Sequence, residues 1–240
     1  MSNTAYKYKK WDKYAKRIIT HQELYFASPK EFNDFFDCQA YCIISNYQFA
    51  NNPFIIVGGK IHPYNGNPCD LLYKATKLSV DTYGVCCFSK SYDSILMWSH
   101  YADYNRGVCF KFDLEIIEKR INVYFDKVAY VKSKPTFDFN NSNEDKRKWF
   151  FYKNRVWKYE REVRGLISPP INAKGKPNRK VIFPKEALKE IIFGANIDKK
   201  TYNEIVDLCN KYGFHKVKFS YMKAITNSDS YKLLKIPLDR

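Results

Sequence analysis

The stretch MWSHYADYNRGVCFKF, Met97 to Phe112, decides the fold. Its first half crowds Trp98, Ser99, His100, Tyr101, Tyr104 and Arg106 into ten residues, and its second half turns apolar behind Gly107. "SILMWSHYA" reads as one short helix with Trp98 and Tyr101 on one side, and "GVCFKFD" as a strand opening at the glycine. The helix then docks against that strand after an Arg106-Gly107 turn. His100 is one of four histidines, and three readings of it stand open: a site residue, a nuclease-like general base, or a buried imidazole fixing the turn through a backbone bond. "SHYAD" gathers polar groups with no apolar periodicity to explain them, which favours a site as much as a packing role.

Working outward, "YKYKKW" alternates as a half-buried strand, and "LYFA" (Leu24 to Ala27) is a strand followed by Ser28, Pro29 and Glu31, the cap, N1 proline and capping-box partner of a short helix. Asn33 and Asp34 either fix a turn through their own backbone or line a pocket mouth. Residues 45–70, rich in Asn, Gly and Pro, read as an irregular excursion. "YGVCCFS" is a buried strand, Asp113 caps "LEIIEKRI", and "NVYFDKVAYV" gives two short strands around Asp126. From Asn143 to Trp157 the apolar residues Trp149, Phe150, Val156 and Trp157 recur at helical spacing, predicting a basic amphipathic helix that leads into a strand at "YEREVRGLI". Residues 168–180 are a mobile basic loop. Asp198 caps a helix with Tyr202, Ile205, Val206, Cys209 and Tyr212 on one face and Gly213 at its stop, and "HKVKFSYMK" and "YKLLKIP" are strands. Strands interleaved irregularly with short helices describe an α+β protein with mixed and antiparallel sheets, expected as one domain over 1–240.

Lys and Arg number 41 against 25 Asp and Glu, a net +16, so a polyanionic partner is favoured. Residues 127–180 carry fifteen Lys or Arg and five Asp or Glu. Within them, Lys146, Arg147, Lys148, Lys153 and Arg155 stand among aromatics, a mixture suited to phosphate contact with base stacking, or equally a solvated helix face. No apolar run reaches membrane length and the basic, aromatic start is unlike a secretory signal, so a soluble cytoplasmic protein is expected. Seven cysteines without a CxxC pair indicate neither a disulfide framework nor a redox motif. Cys38, Cys42, His62 and Cys69 offer four soft ligands at a spacing that falls short of a zinc signature, and no metal is assigned.

The blocks "YKY", "LYFASPKEFND", "CFSKS", "MWSHYADYNRGVCFKFD", "VAYV", "WKYEREVR" and "IIFG", in that order, resemble an uncharacterised bacterial family, domain of unknown function number 2971, from about Tyr6 to Gly194. Phe35 departs from it, where the family carries Pro. The chain more distantly resembles mono-ADP-ribosyltransferases of the Arg, Ser, Glu class, through "YKYK", "FSKS" and "YEREVRGLISPP"; Lys7 or Lys9 replaces the first-strand Arg, and Lys90 the middle Thr. That resemblance implies a split sheet and NAD as substrate, with Glu162 as catalytic carboxylate and Glu160 orienting or deprotonating the acceptor. It implies Lys7 or Lys9 on the pyrophosphate, Ser89 buttressing the glutamate or the ribose, and, where His100 is a site residue, a hydrogen bond from it to the ribose; His100 and Tyr101 join the two glutamates as catalytic candidates. Tyr8, Ser28 and Asn33 complete the cofactor-binding set, with Tyr8, Phe26 and Trp157 as aromatics for a nicotinamide or base.

The chemistry suits those residue types: cleaving nicotinamide from NAD develops oxocarbenium character that a carboxylate stabilises, and residues 160 and 162 of one strand share a face. The plain alternative is an exposed strand whose carboxylates pair with Arg161, Arg164 or a neighbouring strand. Two functions follow: an ADP-ribosyltransferase-like enzyme acting on a nucleic acid or associated acceptor, as a toxin or phage-defence effector with a neutralising antitoxin partner, or a non-catalytic nucleic-acid- or partner-binding module. A nuclease using His100 with Glu160 is a third.

Overall fold

A computed structural model describes residues 3–43, 54–57, 60–63, 66–141, 146–226 and 229–238, with the side chains of 54–57, 60–63, 68 and 147 outside that description. The alternating opening is β1 (Thr4–Lys9), and Asp12 then caps α1 (Lys13–Thr20), accepting from the N–H groups of Tyr14 and Ala15. After β2 (Glu23–Tyr25), the Ser28-Pro29-Glu31 signal yields a single 3-10 turn, Pro29–Glu31, where Ser28 N–H donates to Glu31 Oε1 at 3.0 Å. Next come β3 (Tyr41–Ile43), β4 (Phe54–Val57), β5 (Lys60–Pro63) and α2 (Pro68–Val80).

The central stretch folds as its pattern predicts, into β6 (Gly84–Ser89), α3 (Ile95–Tyr101), β7 (Val108–Asp113) and α4 (Leu114–Arg120). Ser94 Oγ caps α3 at Met97 N–H. Then follow β8 (Tyr124–Lys127), β9 (Ala129–Val131), β10 (Thr136–Asp138), β11 (Tyr152–Asn154), β12 (Glu162–Ile167), β13 (Lys180–Ile182) and β14 (Leu188–Phe193). The chain closes with α5 (Lys199–Lys211), β15 (Lys218–Ile225) and β16 (Lys232–Leu238). Asp198 caps α5 at Thr201 N–H, and Gly213 ends it with φ +76. The fold class is α+β. Among the described residues no helix is long and apolar enough to cross a membrane.

Three sequence expectations are corrected. Within 45–70, residues 45–53, 58–59 and 64–65 lie outside the described residues, but β4 and β5 pair antiparallel and α2 begins at Pro68, so the described part is ordered. The expected helix from Asn143, itself outside the described residues, is instead a 3-10 turn (Lys146–Trp149), β11, and a second 3-10 segment (Arg155–Glu160). Trp149, Phe150 and Phe151 are all buried, and three successive positions sweep too wide an arc for one helix face. In the strand expected at "YEREVRGLI", Arg161 takes a left-handed φ of 46, so β12 starts only at Glu162 and Glu160 belongs to the 3-10 segment.

The chain's contacts group it into two compact units, 1–27 with 84–128 and 156–240, and 28–83 with 129–155. In the first, eight strands run in the order β16-β15-β14-β7-β1-β6-β12-β8, all neighbours antiparallel except β14 with β15, which α5 links. β1 pairs along its whole length with β7 but meets β6 at Tyr6 and Ser89 alone. Apolar residues of α1, α4 and α5, among them Ile19, Ile117 and Ile205, bury Phe88, Phe110, Val163 and Ile191 in the main core. α3 sets Met97 and Trp98 against Tyr6, Tyr8, Cys109 and Ile192 in a separate cluster. The second unit has its own small pairings, β3 with β10, β9 with β11 and β4 with β5, and buries Phe137, Trp149, Phe150 and Phe151.

Candidate active site

Tyr6, Ser89 and Glu162 are direct cross-strand partners on β1, β6 and β12, so the three side chains share one sheet face, and Tyr6 and Tyr8 pack there with α3. The ends of β6 and β12 are laced together. Ser89 Oγ donates to the Glu160 carbonyl at 2.6 Å, and Lys90 N–H donates to the Arg161 carbonyl at 2.9 Å. The "FSKS" and "YERE" blocks therefore meet at the point where β1 and β6 part.

The two glutamates stand in different surroundings. Glu162, 5% exposed, is gripped by the fully buried Arg164, whose Nε reaches Oε1 at 2.9 Å and Nη2 reaches Oε2 at 3.0 Å. Residues 162 and 164 share a strand face, so this pair is the one the alternating-charge reading of the sequence allowed. Cys87 lies alongside, its thiol pushed well above the usual range by burial first and by the Glu162 charge second. Glu160, 4% exposed, accepts from Tyr101 Oη at 2.6 Å. His100, exposed at the end of α3, has Nδ1 3.2 Å from Tyr159 Oη, with rings 6.0 Å apart.

His100 and Tyr101 line a cavity of about 490 Å³ together with Tyr8, Lys9, Asp12 and Tyr104, a volume within the range of small-molecule sites. Tyr8 stacks edge-on to Trp98 at 5.1 Å and donates to the Ser91 carbonyl, and burial drives its phenol upward. Burial likewise pushes the Tyr6 phenol up to about 12. Lys9 is lowered, by burial first and by Lys7 second.

The polar crowd after His100 has a backbone cause. Asp103, Tyr104 and Asn105 all take left-handed φ values of 48, 54 and 67, a conformation Asp and Asn tolerate best. Asn105 N–H returns to the Trp98 carbonyl and Gly107 N–H to Ala102, while Asn196 and Gly194 bind the far side of the loop.

Lys7, one residue past Tyr6, starts from the opposite sheet face. Its Nζ donates to the Cys87 carbonyl at 2.9 Å and sits 5.1 Å from the Phe88 ring. The cation that meets Glu162 is Arg164. Phe26 lies wholly in the main core, and Trp157 is half-buried beside Tyr159 at 6.1 Å.

Ser28 and Asn33 belong to the second unit: Ser28 is buried with Oγ on the Asp81 carbonyl, and Asn33 is exposed. There too lie Lys146 and Arg155, exposed, Lys148 with Nζ on the Thr136 carbonyl, and Lys153, buried 3.4 Å from Asp37. The Arg147 side chain is outside the described residues. All seven cysteines are free, and no group of three metal-ligating side chains forms among the described residues; the His62 side chain lies outside them. Sequence reasoning missed Tyr159, although it stands inside the "WKYEREVR" block.

Residues 97–165, from the "MWSHY" block through β12's Gly165, match the family described as Protein of unknown function (DUF2971). The blocks on either side of that span lie outside the match. No curated protein and no solved structure matches the chain.

Proposed function

We propose that the chain is an ADP-ribosyltransferase-like enzyme that cleaves NAD and passes ADP-ribose to a nucleic acid or a nucleic-acid-associated acceptor. The observation that carries the proposal is the hydrogen bond from Tyr101 Oη to Glu160 Oε1, which ties a carboxylate to the wall of the 490 Å³ cavity beside His100. In the step proposed, the bond between ribose C1′ and the nicotinamide nitrogen breaks, and nicotinamide leaves with the electron pair. The acceptor's nucleophile then bonds to C1′ and surrenders its proton. Glu160 is buried behind the Tyr101 wall of that cavity, so it acts through Tyr101: its charge stabilises the cationic ribose, and the acceptor's proton passes to the Tyr101 hydroxyl as that hydroxyl gives its own to Glu160. His100, with Tyr159 behind it, binds a ribose hydroxyl, and Ser89 fixes Glu160 through its carbonyl.

Glu162, which the resemblance makes the catalytic carboxylate, is assigned here a supporting role because Arg164 already holds both of its oxygens. A cytoplasmic toxin or phage-defence effector with a neutralising partner is the setting this chemistry fits. The Glu162–Arg164 pair favours a second reading, a binding module in which these carboxylates only hold strands.

Nicotinamide release from NAD, measured chromatographically with single-stranded DNA, RNA and cell lysate as acceptors, separates the two. Glu160→Gln is expected to lower the rate about a hundredfold or more, as loss of a general base does, with the fold retained. Absence of nicotinamide release with every acceptor, or a Glu160→Gln rate equal to wild type, would overturn the enzyme reading.

A further inference from the structure

The second unit carries a pocket of about 220 Å³ whose wall includes Phe36, Gln39, Lys132, Lys134, Tyr152 and Lys153. Its lining holds three lysines and no acidic residue. Lys153 is already neutralised by Asp37 at 3.4 Å, both side chains being buried, so the pair is part of the wall. Lys132 and Lys134 are exposed on the bend between β9 and β10 and supply the pocket's unbalanced charge.

Lys134 is held in place. Its Nζ donates to Gln39 Oε1 at 2.6 Å and sits 5.2 Å from the centroid of the Phe36 ring. That ring is 59% exposed, and Phe35, 82% exposed, meets it edge-on at 5.4 Å. The carboxylates on either side of Phe35 and Phe36 in sequence are engaged inside the unit, Asp34 Oδ1 by the Phe36 N–H at 2.9 Å and Asp37 by Lys153, so two apolar rings left in water beside the Lys134 ammonium exceed what a folding contact needs. They match what a single nucleic-acid strand needs, a flat face for a base and cations for its phosphates.

We propose that this pocket binds single-stranded nucleic acid, seating one base on Phe36 and its flanking phosphates on Lys132 and Lys134. The volume lies below the roughly 300–1,000 Å³ of drug-sized sites, so it suits a single base and is too small to enclose a dinucleotide such as NAD. The pocket thus deepens the proposed function on its acceptor side and rests on that reading for its role. Oligonucleotide binding needs no NAD, however, so the two proposals fail separately.

Fluorescence anisotropy of the full chain with a labelled single-stranded RNA or DNA of about twelve nucleotides tests it. Binding should weaken as salt rises. Replacing Lys132 and Lys134 together with Gln should flatten the log–log salt slope by about 1.4, at about 0.7 per phosphate contact. Phe36→Leu, which keeps apolar area but removes the ring, should weaken binding about tenfold, while Phe36→Tyr should preserve it. These side chains are exposed, and unchanged thermal melting will show that the variants fold. No binding at low salt, wild-type affinity in both Phe36→Leu and the double lysine variant, or equal displacement by polyglutamate, the mark of an acidic-peptide site, would each overturn the proposal.

Discussion

Removing the Arg164 guanidinium is the sharpest test of how this sheet is held. Arg164 is fully buried and Glu162 is 5% exposed, so solvent screens their pair little, and both oxygens are engaged at 2.9 and 3.0 Å. Opposite charges about 4 Å apart attract by roughly 4 kcal/mol at the effective dielectric that fits protein data. Desolvating each ion costs several kcal/mol, which offsets that attraction. The intact pair is therefore close to neutral for stability, but a lone survivor is not.

Arg164→Met should cost about 3–5 kcal/mol, because it leaves a buried carboxylate without its cation. For a chain this long that corresponds to a fall in Tm of roughly 6–20 °C. Glu162→Gln with Arg164→Met should regain most of the loss, since the amide carries no charge to compensate. Urea unfolding at neutral pH, followed by circular dichroism and tryptophan fluorescence, measures Arg164→Met, Glu162→Gln alone and the double variant. An Arg164→Met variant within about 1 kcal/mol of wild type, or a double variant equal to the sum of the singles, would refute the argument.

Two further expectations rest on geometry. A Cβ at Gly107 would stand 2.3 Å from the Lys9 carbonyl oxygen and 2.9 Å from that of Ala102, backbone atoms that cannot swing away. Gly107→Ala should therefore cost about 1–3 kcal/mol by disturbing the loop after α3; a melting curve matching wild type would count against this. Arg17 donates to both oxygens of buried Glu23, and this hydrogen bonding holds the Glu23 carboxyl below its ordinary value of 4.5. A depressed folded pKa contributes stability that is present above that ordinary value and is lost as pH falls through the folded one. Glu23→Gln should thus destabilise at pH 7 and flatten the acid limb of the stability profile below about pH 4.5, and an unchanged acid limb would contradict the assignment.

Legibility followed the range of the forces involved. Capping by Asp198, the alternation of β1, and the apolar face of α5 are local, and the sequence displayed them; the caps Asp12 and Ser94 went unread, and Asp113, expected as a cap, precedes α4 without a side-chain capping bond. The stretch from Asn143 to Trp157 was misread as a helix because β11 is set by parallel pairing with β9, more than twenty residues earlier, which no local period announces. The Glu162–Arg164 pair was readable as residues two apart on a strand. The Tyr101–Glu160 bond spans 59 positions and was not. The left-handed Arg161 was the least legible feature, since that conformation is expected of Gly, Asn or Asp.

That same residue explains how the two glutamates come to differ. An uninterrupted strand through Glu160 and Glu162 would point both carboxylates at one face and into one environment. The left-handed turn at Arg161, costing about 1–2 kcal/mol, breaks the register between them. It leaves Glu162 to Arg164 and swings Glu160 to Tyr101. A second group of left-handed residues, Asp103 to Asn105, follows α3 and carries similar strain, tied down by Trp98, Ala102 and Asn196. Strain persists only where surrounding bonds over-determine it, and the two strained turns flank the elements that present Glu160, Tyr101 and His100. A fold needing only stability would gain by relaxing both. Keeping them makes sense if the position of the Glu160 carboxylate matters more than the energy spent on holding it there.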